Sequence, residues 1–500
     1  MKRFILFLMA SAIMAATFVA CEPKEKPVED TRNWSEDGGL RAADNLLFGD
    51  TIGNGDDEFV FTGIQTLKKG KYLLRGWVYI ADGAVLTIEP GTVILGDKDT
   101  KAALIVERGG KLYAEGKADA PIVFTSEMPK GQRRPGDWGG LIICGKAENN
   151  QTEQQIEGGP RSKHGGNDNA DCSGALSYVR VEFAGFPFQT DKEINGITFG
   201  SVGSNTKVDH VQVSYSNDDS FEWFGGAVNC NHLIAFHGWD DDFDTDNGFS
   251  GHVQYSLSIR NSRLADVSQS NGFESDNCAD GASVAPYTTC VFSNMTFIGP
   301  KADPSFKNEA DYINGGEFFP NNGSSLGRFQ SGMQIRRNSR LCCFNSIFAG
   351  WPIGMMVDNE KGNCWQAAND GLIQVQNTWI IDADILGSDM NKQYVDQLAL
   401  NYTDKTFDTE KPSFSSTFFL SQSGNHQASA QEAAYNYVGL TPNNGVGALL
   451  LSNGSPLLNA ASFSASVLRD FEPVSYVGAF DAANDWTKGW ANFDPQNTDY

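Results

Sequence analysis

Beyond residue 20 the chain has no apolar run approaching the ~20 residues that a bilayer span requires, so no later segment is a candidate transmembrane helix. Positive charge is scarce as well: 38 Lys and Arg stand against 62 Asp and Glu, a net charge of −24. Such a body lacks the cationic face that nucleic-acid phosphates and anionic lipid headgroups demand, which excludes both as partners of that body. Histidines number six, and no CxxC pair or His/Cys cluster has zinc spacing. There is no nucleophile elbow, P-loop or HExxH segment, and the glycine runs read as turns. The segment DFDTDNG from Asp242 opens like an EF-hand, but Gly248 falls one place late and Val253 stands where the final Glu belongs.

What is present begins at the N-terminus. Lys2 and Arg3 precede an apolar stretch from Phe4 to Ala20, followed by Cys21, the layout of a secretory signal. A small residue before cysteine resembles a bacterial lipoprotein signal. That likeness implies removal of residues 1–20, a lipid on Cys21 and an outer-membrane, cell-surface address; losing Lys2 and Arg3 takes the charge to −26. Residues 21–40, charged and proline-bearing, read as a tether, with Glu22 and Glu25 resembling surface-export signals. Eight cysteines remain, and an exported chain can oxidise them. Cys278 with Cys290, and Cys342 or Cys343 with Cys364, are the expected local bridges, with buried thiols as the alternative.

The tether gives way to strand after strand. From Gly83 to Ser126 the apolar triplets LTI, LIV and IVF, opened by Leu86, Leu104 and Ile122, recur at a step of 18, and LII at Leu141 follows after 19. A second series places His210, His232 and Tyr255 at steps of 22 and 23, and later members carry Asn294, Asn345 and Asn377. Short β-rich repeats punctuated by glycine read as coils of a right-handed parallel β-helix over 41–385, with an N-terminal cap. Hairpin signals, which a β-sandwich would need, are few. Residues 386–500 read as a mixed, partly helical capping region: 388–402 and 429–438 look helical, and Trp486, Trp490 and Phe493 supply packing or, alternatively, a sugar platform.

Three segments carry a family resemblance: DGAVLTIEPGTVILG…ERGGKLYAEGKADAPIVFTSE with DWGGLII, DDSFEWFGG…DDDFDTDNGFSGHVQYSL, and YVGAF…DWTKGWANFDPQ. Together they resemble the β-helix lipoproteins of Bacteroidetes, whose activity is unestablished. The resemblance implies the same fold and an outer-membrane location, and supplies no catalytic residue.

The acids concentrate in three segments that align on Phe221, Phe243 and Phe273. In that register Glu222, Asp244 and Glu274 coincide, as do Asp246 and Asp276 two places on. Residues two apart share a strand face, so these five carboxylates form one expected patch, with Asp218, Asp219 and Asp240–Asp242 along its edge. Like charges at strand spacing need a cation, a retained proton or a basic neighbour. Calcium is the expected ion, since oxygen-rich sites suit it. If the protein were a polysaccharide-degrading enzyme, Glu222, Asp241, Asp242 and Asp244, with His237 nearby, would be its acid–base groups. Arg260 or Arg263 would be the base of a β-elimination. Trp223 and Trp239 are the candidate sugar platforms. The leading expectation is non-enzymatic binding or presentation of an extracellular ligand, a glycan, with a purely structural or adhesive rod as a further alternative.

Overall fold

The computed structural model describes residues 42–151, 154–189, 192–306, 327–383, 400–401, 406–407, 412–429 and 449–500. Cys21 and the tether lie outside this set. Parallel strands stack into a right-handed β-helix with three sides per coil. One side is an eleven-stranded sheet running from Ala42–Ala43 through Trp77–Ile80, Gly140–Cys144, Phe221–Phe224 and Phe243–Asp246 to Met356–Val357. Along its inner column lie Phe59, Val78, Leu104, Leu141, Ile197, Phe221, Phe243, Phe273 and Met333, all buried. Stacking gives each ring neighbours ~4.8 Å above and below, which a single coil cannot provide.

The triplet series requires a correction. Leu104 and Leu141 pair within the first sheet, whereas Leu86 pairs with Leu112 on the second side and Ile122 with Val179 on the third. Here the true coil is 26 residues, Val78 to Leu104 and Leu86 to Leu112. A step of 18 advances two sides of a coil and returns the same strand-turn texture on another face.

From Gly174 onward the second and third sides fuse into long strands, among them Gly174–Glu182, Lys207–Ser214, Asn229–Phe236, His252–Ile259 and Val291–Ile298. Each bends at one left-handed residue. Tyr178, His210, His232, Tyr255, Asn294, Asn345 and Asn377 all have φ between 50° and 59°. That conformation costs ~1–2 kcal/mol in a non-glycine residue and asparagine tolerates it best. At the other corners, stacking offsets the cost: ring centroids lie 4.4 Å apart for Tyr178–His210, 4.2 Å for His210–His232 and 5.1 Å for His232–Tyr255. Asp209 Oδ1 accepts hydrogen bonds from Nδ1 of both His210 and His232 at 2.9 Å.

This corner also holds the C-terminal segment. Residues 449–500 lie lengthwise along the outer wall instead of closing an end. Gln254 exchanges hydrogen bonds with the backbone of Glu472, Gln212 with Asn492, and Asn345 with Ser462, while Asn294 Nδ2 donates to Tyr476 O. The corner asparagines thus bond largely to this segment, while Asn345 donates to Ser293 Oγ and Asn294 Oδ1 accepts from Gln254 Nε2 of neighbouring coils. Trp486 and Trp490 pack edge-on against His210, and Phe493 against Phe236. These aromatics pack on the wall of the stack, Trp490 buried and Trp486 and Phe493 half-buried.

The last rung among the described residues is His426–Ala428 on Trp379–Ile381. Helix Phe414–Ser421, N-capped by Ser413, seats Phe418 and Phe419 on the core at that end. Of the helices expected over 388–402 and 429–438, Leu400–Asn401 form a strand with Thr406–Phe407, and nearly all the rest lies outside the described residues. All eight described cysteines are free thiols, so neither expected bridge forms. No helix among the described residues is long and apolar enough to cross a membrane.

Candidate functional site

The site grows from the outer column of the first sheet. Over four coils that column is Val60, Tyr79, Ile105 and Ile142, covered by Ile156 and Ile194 of two short hairpins. It passes through Thr198 and then turns acidic: Glu222, Asp244 and Glu274 occupy the next three rungs, and Gln334 the fourth. The register expected from the three phenylalanines is the observed one, with Phe221 opposite Phe243 and Phe243 opposite Phe273. Side-chain alternation sends the rings inward and these three acids outward.

The edge acids come closer than the alignment implied. Oxygens of Asp219, Glu222 and Asp244 lie within 4.8 Å of one another, as do those of Asp241, Asp244 and Glu274, and those of Asp218, Asp219 and Asp240. Asp244 belongs to two triplets, and its Oδ1 is buried and meets no hydrogen-bond donor among the described residues. Glu157 and Glu193 from the hairpins add negative potential at Glu222 and Asp218 respectively. Burial first, and neighbouring carboxylates second, push Asp218, Asp219, Glu222, Asp240, Asp241 and Asp244 well above the usual carboxylate range.

Two edge acids also have a structural task. Asp219 Oδ1 accepts the N–H of Asp241 at 2.8 Å, Asp241 Oδ1 accepts the N–H of Asn271, and Asn271 Oδ1 accepts the N–H of Ser331 at 3.0 Å. Each side chain satisfies the backbone donor one coil on, which would otherwise be a buried orphan. This ladder was not anticipated.

Several expected site residues serve other ends. Trp223 is fully buried, stacked between Phe199, Phe221, Phe243 and Phe249 in the core, and cannot be a sugar platform. Trp239 is half-buried next to Asp240 of the acidic cluster, its carbonyl accepting from Arg260 Nη2 and Ser270 Oγ. Asp242 and Arg260 form a completely buried ion pair at 2.9 Å, and Ser258 Oγ donates to the same carboxylate. Arg260 also donates to the carbonyls of Asp240 and Trp239, so it is locked and unsuited to serve as a base. Arg263 is exposed and acts electrostatically on Asp303, away from the groove. His237 is bonded through Nδ1 to Tyr215 OH, and burial, then Arg260, lowers it to about 3, so it stays neutral.

The five-residue metal set also divides. Asp276 is taken by Arg336 and Arg337 at 2.8 Å each, and Arg336 also engages Glu274. Asp246 Oδ1 accepts its neighbour Asn247 N. The downstream end is therefore neutralised. Upstream, among the described residues, no ion pair engages Asp219, Glu222 or Asp244; Glu222 is met by Asn195 Nδ2. The donor set that fits a hard divalent cation is Asp219, Glu222 and Asp244, all oxygen, with Asp241 and the Arg336-paired Glu274 beside Asp244.

Residues 60–418, most of the stack, match the pectate-lyase-like β-helix domain. The chain belongs to that family. No curated protein and no solved structure matches it. Family membership agrees with a polysaccharide-related or surface role and assigns no ligand or activity.

Proposed function

We propose that this β-helix is a lipid-anchored surface protein that binds an extracellular glycan through a calcium ion held in its carboxylate groove. Asp244 carries this reading: at the junction of two carboxylate triplets, its buried carboxyl oxygen meets no donor and no ion-pair partner among the described residues. In this reading Asp219, Glu222 and Asp244 hold the ion, Asp241 and Glu274 flank it, and the bound ion gives an otherwise repulsive face its affinity for sugar oxygens. Lipid attachment at Cys21 and an outer-membrane location rest on the signal-like N-terminus. The test is saturable retention on a panel of polysaccharides. Binding is expected with calcium and should vanish in EGTA and in Asp244→Asn. Retention that ignores both changes refutes the proposal.

The raised carboxyls favour a second reading, polysaccharide cleavage. A protonated Glu222 or Asp244 beside ionised neighbours can act as a general acid. That reading requires released oligosaccharides that disappear in Asp244→Asn.

A further inference from the structure

In a chain this acidic, four cations gathered in one cleft call for a reason. Strand Trp77–Ile80 is followed by Asp82, Ala103–Val106 by Glu107 and Arg108, and Gly140–Cys144 by Lys146. Together with Arg161, Ser162 and Lys163 of a covering hairpin they line a cleft of about 400 Å³. Arg161 is fixed at its back: Nη1 lies 2.6 Å from Glu107, and the guanidinium sits 4.2 Å over the Tyr79 ring, with Glu58 at 3.6 Å. Arg108 is fixed too, donating to Gly165 O at 3.0 Å.

The two lysines are differently placed. Among the described residues Lys146 forms an ion pair only with Asp82, at 3.5 Å, and Asp82 is 77% exposed, a pairing worth little in water. Among the described residues no ion pair engages Lys163. Gly109, with φ of +87°, keeps the floor open: a Cβ there would lie 1.7 Å from Asp82 Oδ1 and 2.6 Å from Lys146 Nζ. Two guanidinium groups held by partners and two ammonium groups with at most a weak ion pair make a receptor for an oxyanion. The volume falls within the ~300–1,000 Å³ range of small-molecule pockets and exceeds the need of a bare inorganic ion.

We infer that this cleft binds a carboxylate or sulfate group carried on a ligand of about monosaccharide size, without a metal. It lies on the same sheet as the groove, Phe221–Phe224 being two rungs beyond Gly140–Cys144, about 10 Å at ~4.8 Å per rung. The sugar character of the ligand rests on the glycan reading above; binding of the anionic group does not.

Calorimetric titration in EGTA tests it with glucuronate, glucose and inorganic sulfate. Glucuronate should bind at least tenfold more tightly than glucose, weaken as salt is raised, and be displaced by sulfate. Lys146→Gln/Lys163→Gln should lose about tenfold, and Lys163→Gln alone an intermediate amount if the double variant folds poorly. Glucuronate no better than glucose, no competition by sulfate, or unaltered binding in the variants overturns the inference. Asp244→Asn separates the two sites, since glucuronate binding in EGTA should survive it whether or not calcium-dependent glycan retention exists.

Discussion

Removing calcium should reverse the usual response of an acidic protein to pH. Six groove carboxyls, Asp218, Asp219, Glu222, Asp240, Asp241 and Asp244, are raised by burial first and mutual repulsion second. The folded chain therefore keeps protons that the unfolded chain releases near pH 4. Their stabilisation is complete below the unfolded value and is lost as pH rises through the folded ones. Each retained proton makes stability fall by ~1.4 kcal/mol per pH unit, and two net protons by about 2.7 kcal/mol. Asp209 does not compensate: burial raises it, but the hydrogen bonds of His210 and His232 outweigh that and hold it far below its ordinary value, so its contribution is lost only in stronger acid.

Under the proposed function calcium would act with the opposite sign, because it would bind the ionised groups. At one hundred times its dissociation constant it stabilises by ~2.7 kcal/mol, and its advantage grows with pH. Differential scanning calorimetry between pH 5 and 7.5 reads both effects. In EGTA the Tm should fall as pH rises, and excess calcium should flatten or invert the slope. Asp244→Asn should be shallower in EGTA, more stable there at pH 7.5, and nearly indifferent to calcium. A Tm in EGTA that is level or rises with pH refutes the argument, as does an equal calcium response in Asp244→Asn.

Trp223→Ala removes a buried indole from the ring stack and should cost ~3–5 kcal/mol in denaturant unfolding, leaving the calcium response of the surviving folded protein intact. Arg260→Leu strands the buried Asp242 carboxylate and should cost ~3–5 kcal/mol, whereas Asp242→Leu/Arg260→Leu should recover most of it. Thiol titration of a form starting after Cys21, denatured without reductant, should count eight free cysteines, and a lower count would revive a disulfide.

Much of this was legible in the residues, for identifiable reasons. The phenylalanine register held because each ring is followed by an outward acid and preceded by a turn, so one alignment fixes both faces. The same register carried further signals that went unused. Two places before each inner residue stand Asp219, Asp241, Asn271 and Ser331, which is the hydrogen-bonded ladder. Trp223, two places after Phe221, shares its inward parity and so could be assigned to the core by alternation alone. The long step from Phe273 to Met333 hid the fourth rung. Arg260 was not legible: it leaves the end of His252–Ile259 on another side of the coil, and its approach to Asp242 depends on corner geometry that no spacing encodes.

The outer column argues that the acids answer to something other than folding. Thr198 and Gln334 occupy the same register position one rung above Glu222 and one below Glu274, each buried, each a competent strand residue without charge. Upstream the column is apolar wherever a hairpin covers it. Nothing in the strand pairing therefore demands carboxylates at 222, 244 and 274, and their mutual repulsion in a buried setting works against the folded state. Arg336 and Arg337 relieve that repulsion at Glu274 and Asp276, which shows how the chain neutralises such charge when neutralisation is all that is needed. Among the described residues no ion pair does the same at Asp219, Glu222 or Asp244, so the positive charge missing there is what the divalent cation of the proposed function would supply.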